Sequence, residues 1–368
     1  MSEIEIGRSK RARQAYSFDD ISVVPSRRTR DAGDVSLTWK IDAYTFDHPI
    51  VAAPMDSIAS PESVVEIASH GGLSVLDLEG LWTRYVDPSE AYAQINAAGR
   101  GDENRVLQRV YAEPIKPELI AQRIKSLREA GITVAGALSP QRTLQLSKDL
   151  TGAGVDIFVI RGTTVSAEHV SSSDGALNLK QFIYDLDVPV IVGGVATYQA
   201  ALHLMRSGAA GVLVGFGGGA THTTRDVMGL QVPMATAVAD VAAARRDYMD
   251  ESGGRYVHVI ADGAMGRSGD IVKAMACGAD AVMVGSPLAR AVDAPGRGRH
   301  WGREAAHGDL PRGHIAEFGT VGTLKEIMTG PSHTADGTMN LIGAVRKSIA
   351  TCGYTDIKDF QKVEIIVN

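Results

Sequence analysis

Apolar residues along this chain fall in short unbroken runs rather than in alternation with polar ones. Eight such runs stand out, at residues 50–53, 73–76, 132–137, 157–160, 190–192, 211–214, 258–261 and 281–284. Continuous β-branched runs mark strands covered on both faces, as in a parallel sheet. Between them apolar positions recur at helical spacing, as over 198–207 and 270–277. Ser268 stands where it can cap the second of these helices, and Gly278 lies just past its end. Strands and helices in this alternation predict an α/β fold, a (β/α)8 TIM barrel in a single domain.

An internal echo supports the barrel. Val190-Ile-Val-Gly-Gly194, a helix closed by Gly208, and Gly211-Val-Leu-Val-Gly215 return later in the chain. The second copy is Val259-Ile-Ala-Asp-Gly263, a helix closed by Gly278, and Ala281-Val-Met-Val-Gly285. A doubly wound open sheet is the rival. It would place a Gly-x-Gly-x-x-Gly early in the chain at the start of a helix, and none opens a helix in the first half. Residues 1–48 read as an irregular lead-in whose one apolar ribbon is Ser17-Phe-Asp-Asp-Ile-Ser-Val-Val-Pro25. Residues 84–120 are polar, helix-prone and too short for a module. The Gly- and Arg-rich stretch 294–314 reads as a loop or mobile segment.

Composition narrows the partners more than the fold. A 368-residue chain that is 44% hydrophobic and 22% charged has ample material for one large core. Its net charge of −6 argues against a general affinity for nucleic acid or anionic membrane. The clusters Lys10-Arg11-Arg13 and Arg27-Arg28-Arg30 read as solvated surface. Cys277 and Cys352 are the two cysteines, and both read as reduced, structural thiols. No apolar run has the length of a membrane span, and no signal-peptide core opens the chain, so a cytoplasmic protein is expected.

In a barrel the residues just after each strand carry the chemistry. Here those are Pro54-Met-Asp-Ser57, Arg161-Gly-Thr-Thr164, Gly193-Gly194, the glycine loop 215–225, Asp262-Gly-Ala264 and Gly285-Ser286. The last three form a phosphate cradle of exposed backbone N–H groups and a serine hydroxyl. Asp262 reads equally as a ribose acceptor or as a helix N-cap or turn aspartate. Met55 and Met283 read as purine-flanking or as packing. His222 reads as a base or a ligand, or as neither, with no carboxylate at metal-ligand spacing and nothing nearby to activate it.

These loops resemble the IMP dehydrogenase/GMP reductase family nearly end to end. The resemblance runs through Phe18-Asp-Asp20, Pro54-Met-Asp-Ser57, Gly215–Arg225, Ala261-Asp-Gly263, Ser268-Gly-Asp-Ile271 and Val284-Gly-Ser286. It continues in Leu341-Ile-Gly-Ala-Val-Arg-Lys-Ser348 and Gly353-Tyr354. The chain is most similar to the short branch, with no room for a CBS insertion. The resemblance implies a purine nucleotide monophosphate (IMP, XMP or GMP) as ligand, NAD as cofactor and a homotetramer. It places ribose on Asp262 and phosphate on Gly263, Ala264, Gly285 and Ser286, with Gly219 and Ala220 in the glycine loop beside them. Met55 and Met283 then lie near the nucleoside. It puts the cofactor near Arg161, Gly194, Gly215 and Gly217. A monovalent cation, K+, would sit on the backbone carbonyls of Gly217, Gly219 and His222. Thr224 stands where the family places a threonine linked to water activation.

The departures are concentrated on the redox side. His222 occupies the position of the family's nucleophilic cysteine, and Ala220 that of a phosphate-binding serine. Arg161 replaces an aspartate that meets the NAD ribose, Gly194 an asparagine, and Leu213 a basic residue. A flap with catalytic arginine and tyrosine is not recognisable in 294–314. A lost nucleophile costs many orders of magnitude in rate. The resemblance implies an oxidoreductase converting IMP and NAD to XMP in purine biosynthesis. The losses favour a catalytically weak purine-monophosphate binder with a regulatory role. A flavin (FMN) barrel is a third reading, which a colourless protein would remove.

Overall fold

The computed structural model describes residues 3–170, 177–216 and 218–368. Eight parallel strands close into a barrel: β1 (Ile50–Ala52), β2 (Leu73–Asp77), β3 (Ala135–Leu138), β4 (Ile157–Arg161), β5 (Val190–Val195), β6 (Gly211–Val214), β7 (His258–Asp262) and β8 (Ala281–Val284). β8 pairs with β1 to complete the ring, with Val282 opposite Ile50 and Val284 opposite Ala52. Burial of these strands on both faces, inside the barrel and under the helices, is what produced the unbroken apolar runs.

The predicted elements recur with local corrections. β3 begins at Ala135 rather than at residue 132, because the Val134 N–H is taken by the Asp156 carboxylate at 2.8 Å instead of by a neighbouring strand. The helix after β7 spans Ser268–Ala276, so Ser268 lies inside it and is not its cap. Arg267 holds the cap position, with its N–H donated to Asp270 Oδ2 at 3.0 Å. The repeat is realised as two successive strand–helix–strand units. Their helices end at Gly208 (φ 99°) and Gly278 (φ 113°), in the left-handed region that a side chain resists.

Residues before β1 are more ordered than expected. Glu3–Gly7 pairs antiparallel with Lys10–Arg13, and Trp39–Ile41 pairs with Tyr44–Phe46. Ile21–Val23 pairs with the C-terminal Ile365–Val367, tying the two ends of the chain together.

Residues 84–120 form two helices, Ser89–Ala97 and Glu103–Val110, and the first turn of a third, Pro117–Glu129. The first two, with Leu81 and Tyr111, enclose a small apolar cluster separate from the main core. It is filled by Trp301 and Ala305 of the stretch 294–314, which its sequence presents as a loop or mobile segment, and by Ile315 just beyond it. That stretch carries a turn of 3-10 helix, Arg303–Ala306, and a two-residue strand, Arg299–His300, that pairs with Ala316–Glu317 just beyond it. Trp301 is wholly buried and its indole N–H donates to Tyr111 Oη at 3.0 Å. Rather than standing free, the segment is a plug seated in the barrel mouth. Among the described residues no helix is long and apolar enough to cross a membrane.

Candidate functional site

The C-terminal ends of the strands open into a cavity of about 620 Å3, within the usual range for a small-molecule site. Its wall gathers Asp262, Gly263, Ala264, Gly285 and Ser286 from the loops after β7 and β8. Met55 and Met283 join them, with Gly219, Ala220 and His222 from the loop after β6. Every residue expected to hold the nucleotide therefore lines one space. Ala264 takes a left-handed backbone conformation (φ 59°), which costs a residue with a side chain about 1–2 kcal/mol. A larger cavity of about 770 Å3 lies at the other end of the barrel, among Val190, Ala210 and His258 at the strand starts. Barrel chemistry sits at the strand ends, which makes the smaller cavity the candidate site.

The plug closes over His222 from above. Thr223 N–H donates to Arg312 C=O and His314 N–H to Thr221 C=O, both at 3.0 Å, so plug and glycine loop are stitched backbone to backbone. Gly302 permits the approach: a Cβ there would lie 2.6 Å from the Glu304 carboxylate and 3.2 Å from the Met55 methyl. This brings Glu304 Oε2 to 3.4 Å from His222 Nε2. The expectation that nothing stands near enough to activate His222 is therefore corrected. On the other side of the ring, Thr221 Oγ1 lies 3.4 Å from Nδ1.

Arg161, at the end of β4, reaches across the mouth. Its Nε donates to Asp262 Oδ2 at 3.1 Å, and its Nη1 stands 3.7 Å from Glu304 Oε1. Asp262 is thus neither a helix cap nor unengaged: one oxygen is committed to Arg161. Burial opposes ionisation of Glu304, but His222, Arg161 and Arg303 together hold its carboxyl well below the usual carboxylate range. His300 also lines the cavity, buried, with Nδ1 2.7 Å from Ser57 Oγ. Burial, and then the charges of His222 and Arg161, push its imidazole down to about 3.

Beneath the plug, Arg303 pairs with Asp77 at 2.7 Å and Glu79 at 2.6 Å. Asp56, which receives the Tyr111 hydroxyl at 2.6 Å, is pushed up to about 7 by burial and the neighbouring Asp77. Sequence reasoning missed Asp77, Glu79, His300, Arg303 and Glu304. The acidic pair had a signal, since Asp77-Leu-Glu79 leaves the end of β2 where site residues belong. Glu304 had none, because nothing local marks a carboxylate that meets His222 only through the fold.

The residues expected around a cofactor are not gathered in one place. Arg161 lines the mouth cavity, whereas Gly194 lines a separate cleft of about 420 Å3 with Thr197, His203 and Phe216. Gly215 lines a small pocket with Arg161, and a Cβ there would clash with the Asp262 carbonyl oxygen. Gly217 lies outside the described residues. The Gly219 carbonyl, expected to bind a cation, accepts the His222 N–H at 3.0 Å. Among the described residues no three His, Cys, Asp or Glu side chains are grouped to hold a metal. Neither cysteine lines the mouth: Cys277 closes the helix after β7, its thiol pushed up to about 12 by burial, and Cys352 caps the helix Leu341–Thr351.

Comparison with known proteins gives the family and the fold. An oxidoreductase of Mycolicibacterium smegmatis, described as uncharacterised, is 49% identical over 99% of both chains. A crystal structure from Corynebacterium glutamicum, described as an IMP dehydrogenase/GMP reductase-like protein, superposes with a TM-score of 0.95. It is 51% identical and covers 100% of this chain and 98% of its own. The inosine-5'-monophosphate dehydrogenase of Methanocaldococcus jannaschii is 24% identical over 95% of this chain and 92% of its own. Residues 15–305 match the model of the IMP dehydrogenase / GMP reductase domain, and the chain belongs to that family.

Proposed function

We propose that the mouth cavity binds a purine nucleoside monophosphate and that this member of the family works without a thiolate. One observation carries the reading. Gly263, Ala264, Gly285 and Ser286 share a single cavity with Asp262, Met55 and Met283, and no cysteine lines it. Glycine-rich turns expose N–H groups to a phosphate, and Ser286 adds a hydroxyl. Asp262 keeps Oδ1 for a ribose hydroxyl while Oδ2 holds Arg161. The base then extends towards His222 and His300.

The alternative is oxidation of IMP with NAD, the activity that the names of the family imply. Arg161 weighs against it. A guanidinium has donors only and cannot accept a hydrogen bond from a ribose diol as a carboxylate does. Arg161 is also tied to Asp262 and Glu304. These residues do not fit a dinucleotide held by a ribose-binding carboxylate, and no step is routed through one.

A thermal-shift panel of IMP, XMP, GMP, AMP and inosine, with and without NAD, tests the proposal. A bound nucleotide at a hundred-fold excess over Kd stabilises the chain by about 2.7 kcal/mol. At least one 6-oxopurine monophosphate should raise Tm by several degrees, inosine should not, and NADH absorbance should stay flat. Inosine matching IMP would refute the phosphate cradle, and steady NADH production would restore the dehydrogenase reading.

A further inference from the structure

Arg161 carries more donors than the fold uses. It stands at the end of β4, and its side chain, 15% exposed, lines the mouth cavity. A guanidinium has five N–H donors and no acceptor. Nε is committed to Asp262 Oδ2 at 3.1 Å, and Nη1 lies 3.7 Å from Glu304 Oε1. Nη2 makes no hydrogen bond or ion pair among the described residues. Two carboxylates on one planar cation fix its orientation, and with it the direction of the donors left over.

The position of the ribose decides what those donors meet. Asp262 Oδ1 is the oxygen kept for a ribose hydroxyl, and Arg161 holds the other oxygen of the same carboxylate. The free donors of Arg161 therefore lie on the sugar side of the base. The base edge nearest the sugar carries N3 and the group on C2, whereas O6 and N7 lie on the opposite edge. At C2 hypoxanthine has a hydrogen, guanine an amino group and xanthine an oxygen. Xanthine also sheds its N3 proton near neutral pH, which leaves N3 and O2 as adjacent acceptors.

The side-chain acceptors beside Arg161 are already engaged. Glu304 lies behind His222: it lines a small space of about 40 Å3 and not the mouth cavity, and its two oxygens face His222 and Arg161. His222 turns Nε2 to Glu304, and its Nδ1 to Thr221 Oγ1 and the Gly219 backbone. An amino group at C2 would set donor against donor. A hydrogen there would leave Nη2 without a partner. An oxygen receives a charge-assisted hydrogen bond.

We infer that Arg161 reads the 2-position of the bound base and that the mouth selects a 2-oxopurine, xanthosine monophosphate, over the inosine and guanosine monophosphates. The inference rests on the nucleotide reading above. Arg161 then does two things: Nε orients the carboxylate that holds the ribose, and Nη2 discriminates between bases.

Calorimetric titration of the full chain with the three monophosphates tests the assignment. Xanthosine monophosphate should bind at least about tenfold more tightly than either of the others. Inosine or guanosine monophosphate matching it would overturn the assignment and leave the nucleotide reading standing. Binding of none of the three would overturn both. Arg161→Met removes the donors and should bring the xanthosine and inosine affinities to within about threefold of each other. Their ratio is the readout, because a merely structural role would lower both affinities together. Should that variant fail to fold or to bind either nucleotide, Arg161→Lys keeps a cation between the two carboxylates without the planar fork. It should lose the preference as well. An unchanged ratio, whether both affinities fall or neither does, would overturn the assignment.

Discussion

His300 is a histidine that its surroundings keep neutral. Burial and the nearby His222 and Arg161 push it to about 3 from an ordinary value of 6.5. The unfolded chain therefore takes up a proton at this position near pH 6.5, and the folded chain does not until about pH 3. The unfolded state binds more protons between those limits. The stabilisation is full above pH 6.5 and is lost as the pH falls towards 3, at about 1.4 kcal/mol per pH unit. Glutamine keeps an amide to face Ser57 and does not titrate. His300→Gln should therefore lose less stability than the wild type between about pH 7 and pH 5, as read by urea unfolding. Equal losses would show that His300 is not the group responsible. None of this was legible in the sequence, where His300 is one histidine in an arginine-rich stretch. Its neutrality comes from burial and from His222 and Arg161, which are distant in the chain.

At the scale of elements the decisive part is the plug. Its sequence lacks apolar periodicity and so read as a loop, yet two of its side chains anchor it. Trp301 fills the satellite core, and Arg303 holds the carboxylates at the end of β2. Removing one partner from a buried ion pair leaves uncompensated charge and costs about 3–5 kcal/mol. Arg303→Met should therefore destabilise the chain by about that much, measured by denaturant unfolding. A loss under about 1 kcal/mol would mean that Asp77 and Glu79 are not held by this contact. The strands were legible for the opposite reason. A parallel barrel strand is covered on both faces, so its apolar run is local information. β3 was misplaced by three residues where a side chain, Asp156, took a backbone N–H that pattern alone assigns to the sheet.

At the scale of the whole molecule, the barrel collects residues from the ends of β1, β4, β6, β7 and β8 around one cavity. The grouping of Gly263, Ala264, Gly285 and Ser286 was legible because each directly follows a strand, and barrel topology then gathers them without further information. The carboxylate beside His222 was not, since it arrives on the plug after the eighth strand. The charges of this mouth are linked to one another. Arg161, Asp262, Glu304 and His222 form one chain of contacts across the space where the resemblance implied sulfur and dinucleotide. A crystal structure with xanthosine monophosphate bound is the sharpest check. The phosphate should lie within hydrogen-bonding reach of Ser286 and the Gly263 and Gly285 amides, with the base beside His222. A nucleotide found instead at the strand starts, among Tyr256, His258 and Arg255, would contradict it.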